Sequence, residues 1–459
     1  MSARVLLVRP WSRRIPTVVP SLGLGYLGAV LQRAGHVVSV VDGMRDQITP
    51  DAFADWYDGQ RFDVVGFQSF TCDLPQVKQL AAVARQRNPD ARLVLGGPHA
   101  SADPDHALGY FPQMDFVVRG EAERGVVGLI EAIDGRRRFD DVENLVRRGD
   151  APEARAPAQF VEDLDSIPFP AWDLMRPSSY PPAPHGFVAS AFPVAPFLVS
   201  RGCPYLCAFC DAASTAGRRL RVRSMESVLA EIDELVNRHG VRELHLEDDN
   251  FTTNRKVVRA FCEALLSRGS PVSWCCPNGM RLDTVDEELL ALMRRAGLVA
   301  FAVGIESGSE RVLAAMQKDL DLEALMPKLR AAHRLGLKTT GFFIVGYPGE
   351  TEEDFRKTVQ LSLSLDLDHA QFSNFLPLPG TRAAHTATSG SDPETLAWEE
   401  FLTTGGRGWA PPSVDVRSWQ RRAFLRFYFR PRVLMGALRQ VRTWAHFRYL
   451  LRRVWRVFV

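Results

Sequence analysis

Twice along this chain, short apolar runs alternate with stretches whose apolar residues recur at helical spacing, and that double alternation limits the fold more than any other feature. In the first block, "ARVLLVR" (3–9), "HVVSVVD" (36–42), "FDVVGFQ" (62–68), "ARLVLGG" (91–97) and "MDFVVRG" (114–120) read as buried strands. "LGLGYLGAVLQRAG" (22–35) and "DLPQVKQLAAVARQRNP" (73–89) read as helices between them. Strand and helix exchanging at this interval predict a doubly wound parallel sheet, which takes ligands at the carboxyl ends of its strands. From residue 196 the alternation restarts with "PFLVSRG" (196–202), "RELHLED" (242–248), "PVSWCCP" (271–277), "VAFAVGIES" (299–307), "KTTGFFIVG" (338–346) and "HAQFSNFLPL" (369–378). Six such units cannot close an eight-stranded barrel, but they build an open, partial one.

The fold class expected is therefore α/β. An N-terminal doubly wound domain covers 1–135, a linker rich in Pro, Ala and charge covers 136–195, a partial (β/α)6 barrel covers 196–385, and a helical C-terminal region covers 386–459. A net charge of +2 gives no global case for nucleic-acid binding. The opening residues "MSARVLLVRPWSRR" return to charge too soon for a signal peptide and read as a first strand. No run of about 18 apolar residues occurs, so no membrane span is expected. Seven cysteines, an odd number, fit a reducing, cytoplasmic setting.

Three of those cysteines fall within eight positions of "RGCPYLCAFCDAAS": Cys203, Cys207 and Cys210. A structural zinc site wants four ligands from paired knuckles, and no second Cys-x-x-Cys exists. A disulfide would leave one thiol over. Three thiolates on a cubic [4Fe–4S] cluster leave one iron open, and an open site is what a catalyst needs. The thiols follow the first barrel strand at its carboxyl end, where barrel chemistry takes place.

Cys-x3-Cys-x2-Cys in this position, with Phe209 before the last cysteine, resembles the radical S-adenosylmethionine (SAM) superfamily. In that family the open iron holds SAM, which is cleaved to a radical that abstracts hydrogen. The later strand ends carry the resemblance further. "LEDDNFT" offers Asp248 and Asp249 to the SAM amine, and "GIESGSE" offers Glu306 and Ser307 to ribose and carboxylate. "GFFIVGYPGET" brings Gly346 to adenine, and Arg281 is a candidate for the SAM carboxylate. As helix-capping residues, Asp248, Asp249 and Ser307 would have a plain structural role instead.

The first block contains Gly23, Gly25 and Gly28 as a literal G-x-G-x-x-G, but about thirteen residues separate them from strand one, where a nicotinamide fingerprint needs its first glycine. The block instead resembles the cobalamin-binding domain of one radical SAM subfamily, through "VPSLGLGYLGAVLQRAGHVVSVVD", "VVGFQSFT", "LVLGGPHAS" and "DFVVRGEAE". The resemblance implies that Gly23, Gly25, Ser69, Thr71, Gly96, Gly97 and Glu121 face cobalamin. The loop after strand one has no histidine, so the cobalt would lack a His lower ligand.

Together these features imply a class B-like radical SAM C-methyltransferase that uses a [4Fe–4S] cluster, SAM and cobalamin on an unactivated carbon of a small-molecule or lipid-like substrate. An external one-electron donor of flavodoxin or ferredoxin type is implied as well. Radical ring rearrangement or oxidative cyclisation, and a non-catalytic corrinoid- or cluster-binding protein, are the alternatives. Between Arg417 and Val459 lie twelve Arg, interleaved aromatics, and no Asp, Glu or Lys. That stretch is expected to form helices that close the barrel, with peripheral membrane contact as a second role and no nucleic acid.

Overall fold

The computed structural model describes residues 2–11, 18–181, 189–387, 415–431, 433 and 435. The first sheet is built from β1 (Arg4–Arg9), β2 (Val37–Asp42), β3 (Val64–Gln68), β4 (Arg92–Gly96), β5 (Phe116–Val118) and β6 (Leu145–Arg147), in the order β2-β1-β3-β4-β5-β6. Every pairing is parallel except β5–β6. The first five strands fall on the apolar runs of the sequence. β6 lies inside the stretch expected to be linker, so the sheet runs past residue 135. Three residues pairing antiparallel at an edge leave too little alternation to be legible.

The second sheet joins β7 (Val194–Phe197), β10 (Glu243–Leu246), β11 (Ser273–Met280), β12 (Leu298–Glu306), β13 (Lys338–Val345) and β14 (His369–Asn374), each parallel to its neighbour in chain order. This is the open, six-stranded partial barrel. Between β7 and β10 a hairpin of β8 (Ser200–Arg201) and β9 (Arg221–Val222) stands apart. The sequence suggests one strand over 196–202, but the chain breaks after Phe197. Asp248 accepts hydrogen bonds from Val199 N (3.1 Å) and from Ser200 N (2.6 Å) and Oγ (2.5 Å), turning the chain out of the sheet.

Local chemistry sets the helix ends. Ser21, Thr49, Ser224, Asn254 and Asp286 each accept a backbone N–H at a helix start, and Thr351 forms a capping box with Asp354. Gly240 ends the helix Met225–His239 in a left-handed conformation.

A hydrophobic core runs through both sheets, and a second one, around Leu6, Phe53 and Leu80, fills the other face of the first sheet. The shared core includes Leu7, Val30 and Leu129 of the first sheet and Phe197, Leu244, Trp274 and Phe343 of the second. The linker supplies Trp172 and Met175 to it, and Trp172 Nε1 donates to Glu231 on the barrel helix Met225–His239 (3.1 Å). Gly25 lies under this crossing, where a Cβ would stand 2.8 Å from Pro170 Cβ.

Beyond β14, the helix Val416–Tyr428 packs on the sheet edge. Gln420 Nε2 donates to Phe372 O (2.6 Å), and the Tyr428 hydroxyl bonds Ala370 N and O. This helix therefore covers the last strand of the open sheet. The Arg- and aromatic-rich stretch from 436 lies outside the described residues. Among the described residues, no helix is long and apolar enough to cross a membrane.

Candidate functional site

The carboxyl ends of the two sheets meet around a cavity of ≈ 1260 Å³ including its open mouth. On the side of the first sheet its wall carries Gly23, Gly66, Gly96, Gly97 and Gly120. Gly97 has φ 99°, and a Cβ there would stand 2.7 Å from Ser69 O. A wall of glycines with apolar neighbours such as Leu7, Leu22 and Val64 suits a broad, flat-faced group held against backbone.

The cobalamin candidates divide. Gly23, Gly96, Gly97 and Glu121 line the cavity, whereas Gly25, Ser69 and Thr71 do not. Ser69 Oγ donates to Gly96 O (2.9 Å) and braces the turn. Thr71 Oγ1 lies 3.2 Å from His99 Nδ1 in a buried pair. Among the described residues, no histidine lines the cavity.

The three cysteines sit on the loop of the β8–β9 hairpin and form no disulfide. Cys210 N donates to Cys207 O (3.2 Å), and Cys203 N donates to Gly217 O (3.1 Å). Ala208 fastens the loop to the barrel rim: its N donates to Met316 O (2.8 Å), and its O accepts from Ala383 N (2.9 Å). Burial pushes the Cys203 thiol up and the Cys210 thiol up to about 11, and the neighbouring cysteines and Asp249 add to it. Three convergent thiols whose protons iron would displace fit a [4Fe–4S] cluster.

Asp249 faces both places. Its carboxylate lines the cavity and lies close enough to Cys203 and Cys210 to raise both thiols. Burial pushes Asp249 itself up to about 6. Its neighbour Asp248 points away, into the hydrogen bonds that break the strand, and burial likewise pushes it up to about 6.

On the barrel rim the other motif residues converge. Phe209 packs with Met316, Tyr347 and Phe375, so the ends of β13 and β14 meet the cysteine loop. Gly346 has φ 78°, and its N–H donates to Glu350 Oε2 (2.6 Å). Burial pushes Glu350 up to about 7. Ser307 is buried, with its Oγ 3.2 Å from Thr358 Oγ1 and accepting from Ser309 N (3.1 Å). The Arg281 guanidinium is paired with Asp283 (2.6 Å) and lies 4.1 Å above the Tyr205 ring, between Cys203 and Cys207 in sequence.

Glu306 pairs with Lys318 at 3.1 Å. Burial opposes the Lys318 charge, but Glu306 and Cys207 outweigh it and hold its pKa above the ordinary value. Sequence reasoning missed Lys318. It follows Glu306 by twelve residues across a helix and a turn, with no periodic signal to connect them. It also missed the buried group of Glu243, His245 and Cys275 lower in the barrel, which the β10–β11 register brings together.

The radical SAM superfamily model matches residues 197–362, and the B12 binding domain model matches residues 10–130. An uncharacterized methyltransferase of Pyrococcus horikoshii, PH0819, is 30% identical over 440 residues, covering 94% of each chain. The anaerobic magnesium-protoporphyrin IX monomethyl ester cyclase of Cereibacter sphaeroides is 31% identical over 370 residues, or 79% of this chain and 59% of that one. The radical S-adenosylmethionine methyltransferase TsrM of Kitasatospora setae, solved with cobalamin and a [4Fe–4S] cluster bound, shares the fold. Its TM-score is 0.69 at 19% identity, over 94% of this chain and 82% of that one.

Proposed function

The chain belongs to the B12-binding branch of the radical SAM enzymes, with a [4Fe–4S] cluster, SAM and cobalamin as its cofactors and methylation as its chemistry, and we propose the following assignment of its residues and substrate. Cys203, Cys207 and Cys210 hold the cluster and leave its fourth iron to SAM. Asp249 receives the SAM amine, and Lys318, with Arg281 beside it, receives the carboxylate. Phe209, Tyr347 and the backbone at Gly346 border the adenine. The glycine wall of Gly23, Gly96 and Gly97 seats the corrin. Asp249 carries this reading, because one carboxylate faces the thiols and the corrin seat together.

The cofactors supply a carbon-centred radical and a transferable methyl group, which suits carbons too unreactive for ordinary SAM methylation. The chain's part is to hold the two sites face to face across the substrate and keep water out of the space between. Most of the cavity wall is apolar, which favours an apolar or lipid-like substrate. Electrons come from an external one-electron carrier. Peripheral membrane contact would fall to the Arg-rich stretch from 436.

Anaerobic reconstitution with iron, sulfide and hydroxocobalamin, followed by SAM carrying a labelled methyl group, tests the assignment. Labelled methyl on the corrinoid and release of 5′-deoxyadenosine are expected, and Cys203→Ala, Cys207→Ala and Cys210→Ala should abolish the latter. Wild-type release of 5′-deoxyadenosine from those variants would falsify the cluster assignment. Absence of label on the corrinoid would instead favour a rearrangement or cyclisation like that named for the cyclase relative.

A further inference from the structure

The hairpin that carries the cysteines places two arginines directly opposite each other. Arg201 ends β8, Arg221 begins β9, and the antiparallel register pairs them. Like charges facing across strands repel, and here both side chains are at most 10% exposed. Within the hairpin Arg221 Nη2 donates to Ala216 O (2.6 Å), a neutral acceptor that leaves the charge uncancelled. The carboxylates come from the other half of the molecule, just past β5. Glu121 Oε1 lies 3.2 Å from Arg201 Nη1, and Glu121 Oε2 lies 2.7 Å from Arg221 Nη1. Glu123 adds a second carboxylate to Arg201 at 2.8 Å. The Tyr26 ring, on the helix Leu22–Arg33, lies 4.7 Å below the Arg201 guanidinium. Glu121 Oε2 also accepts from Val161 N (2.6 Å), which fixes the carboxylate between the two cations.

We infer that Glu121 is a positioning residue: by placing one carboxylate oxygen on each of two facing arginines, it closes the base of the cysteine hairpin against the first domain and so fixes the cluster site relative to the corrin seat. Arg201 is two residues before Cys203, and Arg221 follows the loop's last anchor at Gly217, so both strands of the loop are held at one point. Glu121 lines the cavity, yet its Oε2 is taken by Arg221 and Val161 N, while its Oε1 stands in ion-pair range of Arg201 without a hydrogen bond. This assignment rests on the cluster and corrin reading above, but it turns on charge rather than on cofactor contact.

Hydrogen–deuterium exchange on the full-length protein, with hydroxocobalamin uptake measured alongside, tests the inference. Glu121→Gln should speed exchange of the amides between Cys203 and Gly217 by roughly tenfold, because the two arginines lose the carboxylate they share and Glu123 is paired with Arg201. The double variant Glu121→Gln/Arg221→Met removes one of the facing cations and should restore most of the lost protection. Glu162→Gln breaks an exposed pair with Arg219 on the same hairpin (side chains 63% and 78% exposed) and should leave exchange unchanged. Unchanged exchange in Glu121→Gln with loss of cobalamin uptake would overturn the inference and make Glu121 a corrin contact. Fast exchange that the double variant does not reverse would overturn it too, since charge would not be the cause. Failure of the wild-type protein to take up cobalamin or iron would count against the cofactor reading and leave the exchange comparison to decide the role of Glu121.

Discussion

The Lys318 ammonium lies 3.1 Å from a carboxylate oxygen of Glu306, and Glu306 reaches it from a left-handed backbone at φ 65°. A non-glycine residue in that region at the end of a strand is strained, and such strain collects at functional sites. The same pair explains Gly304: a Cβ there would stand 2.5 Å from Glu306 Oε1 and 2.9 Å from Lys318 Nζ. Strand, turn and side chains together hold a cation on the cluster side of the rim.

Removing one partner of this buried pair strands the other. Lys318→Met should lower stability by about 3–5 kcal/mol in urea titration, and the double variant Lys318→Met/Glu306→Gln should recover most of it. If Lys318 holds the SAM carboxylate as proposed, SAM cleavage should stay low in both, since each lacks it. Full cleavage by the double variant would remove Lys318 from the SAM site.

Gly202 carries the turn into the cysteine loop at φ 94°, where a Cβ would lie 2.3 Å from Arg219 O. Both sides of that contact are backbone, so neither can swing away. Gly202→Ala should cost at least about 2 kcal/mol and reduce iron bound per chain after reconstitution. Normal iron content in a stably folded variant would show that the loop tolerates a different path.

Burial pushes the Glu350 carboxyl up to about 7, from an ordinary value of 4.5. Its Oε1 is buried without a hydrogen-bond partner, in keeping with a neutral acid. A carboxyl raised on folding binds its proton more tightly in the folded state. The stability it lends is complete below about pH 4.5 and is lost as pH rises through about 7. Glu350→Gln keeps an acceptor for Gly346 N, so the fall in stability between pH 5 and pH 8 should shrink by roughly 2 kcal/mol. Equal slopes for variant and wild type would place the titration elsewhere.

Trp419 is 5% exposed and stacks on Phe355, with centroids 4.7 Å apart. It holds the helix Val416–Tyr428 over β13 and β14. Trp419→Ala should destabilise the protein by about 3–5 kcal/mol. Uncovering the edge strand β14 should also raise aggregation, measured by light scattering. A soluble variant of native stability would show that the helix is not needed to close the barrel.

The sequence made legible what depends on periodicity and on short, fixed spacings. The presence of both sheets and the three-cysteine loop followed from alternation and from the spacing of Cys203, Cys207 and Cys210. Asp249 was picked out because it sits just past a strand end, and Phe209 because it stands inside the cysteine spacing. What stayed hidden depends on distant pieces of chain meeting. β6 is three residues long and antiparallel. Lys318 meets Glu306 only after an intervening helix. Asp248 and Asp249 look alike in sequence, yet one turns the backbone at Val199 while the other faces the cavity. Two adjacent residues on a strand end point opposite ways, and the sequence does not say which way is inward.

The shared core has a consequence for how the molecule falls apart. Residues from both sheets and from the crossing segment at Trp172 belong to one apolar cluster, so the two halves share an inner core, while the outer face of the first sheet packs on a second core around Leu6, Phe53 and Leu80. Heat or denaturant should therefore take both halves through a single cooperative transition. A protease cut between Pro170 and Met175 should open the shared interior and lower the stability of both halves. A disturbance of the crossing at Trp172 should therefore be felt at the corrin seat and at the cysteine hairpin together.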